Sequence, residues 1–249
     1  MKIAEEIYSH SRGHGLRIDT RKARLARMRA SIISGAECHE ISTKSGGFRY
    51  RAFMVTLTYR RIDQWRPHHI SEAIKRLSIW SRRNATKAKY VWVAELQKRG
   101  AVHYHVLVWL PFNLFMPHWD RAGWWPHGMT QTIKVKTNAV GYLVKYASKM
   151  ANDEAAVQLK FPKHLRMHGT GGLSSLEAMQ RRFRLAPAYV REHFSKWDHD
   201  VRRCPGGGWI ARVTGEWIKS QWNMGSVELQ FVTVWQEAVA FGYVDYREP

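Results

Sequence analysis

The sequence predicts an α+β fold, on three observations. Val55-Thr56-Leu57-Thr58-Tyr59 alternates apolar and polar residues at the period of a half-buried strand. Tyr90–Leu110 reads as two apolar runs around the polar turn Gln97-Lys98-Arg99-Gly100, the pattern of a β-hairpin. Between and after these strands the spacing turns helical, as in the stripe Ile70, Ile74, Leu77 and Trp80.

The elements follow in order. Met1–Gly47 is polar and basic. Asp19 and Thr20 can cap a helix over Arg21–Ile33, with Gly35 as its stop. That helix carries Arg21, Lys22, Arg24, Arg27 and Arg29, either a solvated face or an arm that contacts phosphates. Gly46-Gly47 reads as a linker into a strand over Arg49–Tyr59. Pro67 closes the next loop, and Ser71 caps a helix to about Ala85 with Glu72 in its first turn. The hairpin ends at Pro111. Asn113–His127 is a long loop rich in Trp, Pro and His, and loops of this length are usually functional or disordered. Its His118 and His127 are candidate metal ligands, though an irregular setting favours surface histidines. Met129–Val135 alternates again as a strand, and Asn138 caps a helix through Met150.

After Asn152 the character changes. Ser174 or Ser175 caps a helix to about Leu185, a short helix follows at Ala188–Phe194, and Trp209–Val213 and Trp217–Gln221 form a hairpin about Thr214-Gly215-Glu216. Val227–Trp235 reads as a last strand. The expected division is a basic extension at 1–48, a central domain at 49–155 and an accessory region at 156–249.

Composition narrows the partner. Lys and Arg total 40 against 20 Asp and Glu, a net charge of +20 and a pI near 10.3. Such a chain suits a polyanion, and no amphipathic stretch has the apolar face a membrane surface requires. Twelve Trp and ten Tyr interleaved with the cations point to unpaired nucleic-acid strands, on which rings stack. Cys38 and Cys204 stand far apart without a motif, so neither a disulfide framework nor a Cys-type zinc site is indicated. The N-terminus lacks an apolar leader core and no run of 18 apolar residues exists, so a cytoplasmic protein is expected.

Chemistry gathers in the hairpin. His103 and His105 are two apart on a strand, so both imidazoles take one face and Tyr104, Val106 and Val108 take the other. With the hairpin closed at Lys98–Ala101, Glu95 comes beside them. Two imidazoles and a carboxylate make a divalent-metal site with open positions. On the helix from Asn138, Val140, Leu143, Val144, Ala147 and Ala151 cluster on one side. Tyr142, Lys145, Tyr146 and Lys149 share the other. Exposed helix positions favour Ala or Glu, so paired tyrosines there suggest use rather than packing.

Val55-Thr56-Leu57-Thr58-Tyr59, His103-Tyr104-His105 and Tyr142-Leu143-Val144-Lys145-Tyr146, in this order, resemble the three motifs of the HUH endonucleases, specifically the rolling-circle replication initiators (Rep proteins) of single-stranded DNA phages and plasmids. The resemblance spans roughly residues 49–151. It implies a central antiparallel sheet flanked by helices, with Mg or Mn held by His103, His105 and Glu95. It implies that Tyr142 attacks a phosphodiester of single-stranded origin DNA to give a 5′-phosphotyrosine and a free 3′-hydroxyl, with Tyr146 as second nucleophile and Lys145 favouring phenolate. Lys149, Lys98, Arg99, Arg24 and Arg27 are the expected DNA contacts. The sequence has no Walker A pattern, so a host helicase, like the polymerase, would be a separate partner of a monomer or weak oligomer. A single-tyrosine HUH transposase and a non-catalytic single-strand binder are the alternative readings.

Overall fold

The computed structural model describes residues 20–45, 49–97, 99–136, 138–152, 161–205 and 207–220. Residues 28–220 form one compact unit. Residues 1–27 group with 221–249, and of that second unit only 20–27, the opening turns of a helix, are described. The strand expected at 227–235 lies outside the described residues.

The elements are α1 (Thr20–Ser45), β1 (Tyr50–Thr58), α2 (His69–Arg83), β2 (Lys89–Leu96), β3 (Val102–Pro111), β4 (Thr130–Val135), α3 (Ala139–Asn152), β5 (His168–Gly171), α4 (Ser175–Arg184), α5 (Ala188–Phe194) and the short strands β6 (Val201–Arg203), β7 (Trp209–Ala211) and β8 (Trp217–Ile218). The first five strands form a sheet in the order β4-β1-β3-β2-β5, antiparallel throughout. This is the expected α+β architecture. Its fifth strand lies beyond residue 155, so the sheet draws on both sides of the expected boundary there.

The two faces divide as strand alternation requires. One carries Phe53, Val55, Leu57 and Tyr59 of β1, Trp92 and Ala94 of β2, and Tyr104, Val106 and Val108 of β3, packed on Ile70, Ala73, Ile74 and Leu77 of α2. Each of these buried apolar side chains contributes roughly 1.5–3 kcal/mol through burial. The loop before β4 belongs to this core. Trp119 and Trp125 are fully buried, and the Trp125 indole donates to the Thr58 carbonyl at 3.1 Å. At its end Gly128 is required, because a Cβ there would sit 2.0 Å from the Thr58 carbonyl oxygen. The loop is thus a structural clasp on the end of β1.

The other face buries Met54, Val91, Val93, Leu107 and Trp109, and carries the polar cluster described below. Helix α1 joins it through His39, whose ring packs on Trp109 at 5.2 Å. α1 does not stop at Gly35, as the sequence suggests, but runs on to Ser45. A Gly inside a helix costs about 1 kcal/mol against Ala. Here it lets the helix approach β5: a Cβ at Gly35 would lie 2.7 Å from the Thr170 hydroxyl. Ile32, Ala36 and Cys38, buried around it, offset the propensity cost.

Candidate metal centre and tyrosine helix

The β2–β3 register sets the site. Glu95 pairs with His103 and Leu96 with Val102, and the Gln97 amide donates to the Ala101 carbonyl at 2.9 Å. The hairpin therefore closes one residue away from the Lys98–Ala101 pairing read from the sequence. The correction puts Glu95 directly opposite His103, with all three candidate ligands on one face. Gly100 sits in the turn at φ 85°, where a side chain would be strained.

Glu95, His103 and His105 each offer a ligand atom, and these atoms lie within 4.8 Å of one another. An octahedral ion at about 2.1 Å from its ligands would separate them by about 3–4 Å, so the set is near the spacing required. Glu95 Oε2 lies 2.8 Å from His105 Nε2, and both residues are buried. A buried carboxylate beside two imidazoles is a cost unless charge is matched, and a divalent cation matches it. The other ring atoms are tethered. His105 Nδ1 is 3.4 Å from the Thr56 hydroxyl, His103 Nε2 is 2.7 Å from the Thr58 hydroxyl, and His103 Nδ1 is 3.4 Å from the Gln97 amide nitrogen. A hydroxyl both donates and accepts, so Thr56 and Thr58 can hold either imidazole tautomer. Neither threonine was singled out as a site residue from sequence. Their signal was present: they are the polar alternates of β1, opposite His105 and His103 in the register.

Helix α3 lies over this face, against β2 and β3. The Asn138 side chain caps it, accepting from the Gly141 amide at 2.8 Å. Its inward side is not the stripe centred on Val140 and Val144. Ala139 and Leu143 are buried, Val140 and Val144 only half-buried, and Tyr146 turns inward with Leu143. The Tyr146 ring stacks on His105 with centroids 3.6 Å apart and planes at 17°. Tyr142 stands farther out, 38 % exposed, its ring edge-on to Tyr146 at 5.8 Å. Burial, a hydrogen bond with Tyr142 and the Glu95 carboxylate push the Tyr146 phenol up to about 12. The protein groups around Tyr146 thus favour neutral phenol, and Lys145 is exposed rather than buried beside it.

The other expected contacts are dispersed. Arg99 donates to the Tyr59 carbonyl at 2.8 Å and to Gln97, tying the turn to the end of β1. Arg24 and Arg27 are exposed on α1. Lys98 and the side chain of Lys149 lie outside the described residues. His118 is exposed and His127 stacks on His69 at 3.6 Å, on the α2 side of the sheet. Neither belongs to the Glu95 cluster, and among the described residues that cluster alone groups three potential ligands.

Residues 52–151 match the family of replication-associated proteins described by its ORF2 member. The match runs from β1 to the last turn of α3, taking in the ligand cluster and both tyrosines. It supports the likeness to Rep-type rolling-circle initiators carried by the three motifs, and with it a role in initiating replication on DNA. No curated protein and no solved structure matches the chain. No helix among the described residues is long and apolar enough to cross a membrane.

Proposed function

We propose that the protein is a rolling-circle replication initiator that nicks and rejoins single-stranded DNA at an origin through a tyrosine nucleophile. The observation that carries this reading is the stacking of Tyr146 on His105, with Tyr142 at its edge, above the Glu95–His103–His105 cluster. A nucleophile pair and a candidate cation site then share one wall.

Glu95, His103 and His105 would hold Mg²⁺ or Mn²⁺; the two imidazoles are softer donors than the all-oxygen sets Mg²⁺ prefers and favour Mn²⁺ of the two. Such an ion neutralises phosphate charge as it gathers in the transition state. The chain supplies the rest. A tyrosine phenol oxygen attacks the phosphorus, the bond from phosphorus to the 3′-oxygen breaks, and the phosphate stays on the protein as a 5′-phosphotyrosine. The phenol proton ends, in net, on the departing 3′-oxygen. No water is consumed, so the 3′-hydroxyl can reverse the step. Tyr142, the more exposed phenol, is suited to open the strand, and Tyr146 to make the second cleavage while the first end is held. Lys145, exposed beside Tyr142, and Arg24, Arg27, Lys98, Arg99 and Lys149 contribute positive charge toward the DNA.

Peptide mapping of trapped covalent adducts tests this. The adduct is expected on Tyr142 and, in coupled reactions, on Tyr146. Tyr146→Phe should keep partial initial nicking and lose termination. His103→Ala with His105→Ala should abolish nicking and leave most DNA binding. An adduct on neither tyrosine, or full activity in the double Phe variant, refutes the mechanism.

A further inference from the structure

The chain beyond α3 has its own small core of Ala186, Val190, Phe194, Val201 and Ala211, outside the family match. β6, β7 and β8 form a meander with one face on that core. In its register Arg202 faces Ile210 and Ile210 faces Trp217, so these three make a row across the opposite, outward face. Alternation adds Gly208 and Arg212 on the line of β7 and Lys219 on that of β8.

The Trp217 indole lies flat across this face. A Cβ at Gly208 would sit 2.3 Å from its Nε1, so the glycine is what lets the ring rest on the backbone. Its other side is open, and the residue is 55 % exposed. Around it Arg202, Arg212 and Lys219 are exposed. Asp200 is the carboxylate among them: it holds Arg202 through both oxygens at 3.0 Å, Arg182 at 2.5 Å and Arg212 at 3.7 Å. One carboxylate against three guanidiniums leaves excess positive charge and pins it in place. A preorganised cationic surface with a flat, exposed ring matches an unpaired strand, whose bases stack and whose phosphates need cations.

We propose that the outward face of β6–β8 binds single-stranded DNA, with a base on Trp217 and phosphates on Arg202, Arg212 and Lys219. The choice of DNA rests on the initiator reading; the face itself is separate from the tyrosine site. The test is fluorescence anisotropy of the full chain with a fluorescein-labelled oligothymidylate, in chelator so that no strand is cut. Trp217→Ala should weaken binding about tenfold and Trp217→Phe should recover most of it, with little change for a duplex of equal length. Arg212→Gln with Lys219→Gln, both exposed and safe for folding, should reduce the salt slope by about 1.4, for two lost phosphate contacts. Unchanged single-strand affinity in Trp217→Ala, or an unchanged slope in the double Gln variant, overturns the proposal. So does an effect of Trp217→Ala on self-association without one on DNA binding. If the parent protein nicks DNA while these variants bind as it does, only this face is refuted; if the parent binds no single strand, the initiator reading falls with it.

Discussion

Lowering the pH from 7 to 5 should loosen the seat of α1, and His39 sets how much. Its ring is fully buried against Trp109. Burial, and then the Lys89 ammonium, hold it down to about 4 against an opposing pull from Glu177. An unfolded histidine titrates near 6.5. The unfolded chain therefore takes the proton first: His39 costs nothing above pH 6.5, and stability is lost as pH falls from 6.5 toward 4. Integrating between pH 7 and pH 5 gives a loss of about 2 kcal/mol from this residue. His39→Gln is of similar size and does not titrate. Urea unfolding of parent and variant at each pH, followed by tryptophan fluorescence, should show the variant losing about 2 kcal/mol less over that interval. The nearby Glu177 does not interfere. Burial pushes its carboxyl up, but hydrogen bonds from Lys89 and the Ser174 amide outweigh that and hold it at about 2, so it titrates below the interval. Equal pH dependence in parent and variant would refute the placement of His39 as a buried neutral ring.

Three further outcomes are expected. Thr58→Val removes the hydroxyl 2.7 Å from His103 Nε2 and should weaken Mn²⁺ binding roughly 10- to 100-fold, read by calorimetric titration without DNA; unchanged affinity would mean Thr58 does not orient the ligand. Gly35→Ala should destabilise the fold by about 1–3 kcal/mol despite its helix-propensity gain, because the new methyl meets the Thr170 side chain, and Thr170→Ala should recover much of that; a stabilised single variant would contradict the packing. Binding to single-stranded DNA should weaken with salt at a log–log slope of about −4 for ~6 phosphates neutralised, and a slope near zero would assign the charge to another partner.

The sequence by itself determined the strands, the hairpin and the shared face of Glu95, His103 and His105. Those follow from local rules: alternation decides which side chains share a face, and one polar turn brings two strands into register within a residue. It also determined the second region's helices, where Ser174 caps α4 and Glu177 completes the capping box. Tertiary structure decided the rest. β5 is a strand of His168-Gly169-Thr170-Gly171, a composition with little strand propensity. It pairs with β2 because glycine leaves room for the rings of Trp92 and Tyr90, which a Cβ at Gly169 or Gly171 would strike. α1 passes through Gly35 because β5 lies against it. The loop expected to be functional or disordered is core, since Trp119 and Trp125 have a sheet to bury against. Which tyrosine faces the histidines was undecidable from helical periodicity, which gives angles between residues but not the direction of the sheet. Packing of Leu143 and Ala139 on that sheet rotated Tyr146 onto His105 and left Tyr142 toward solvent.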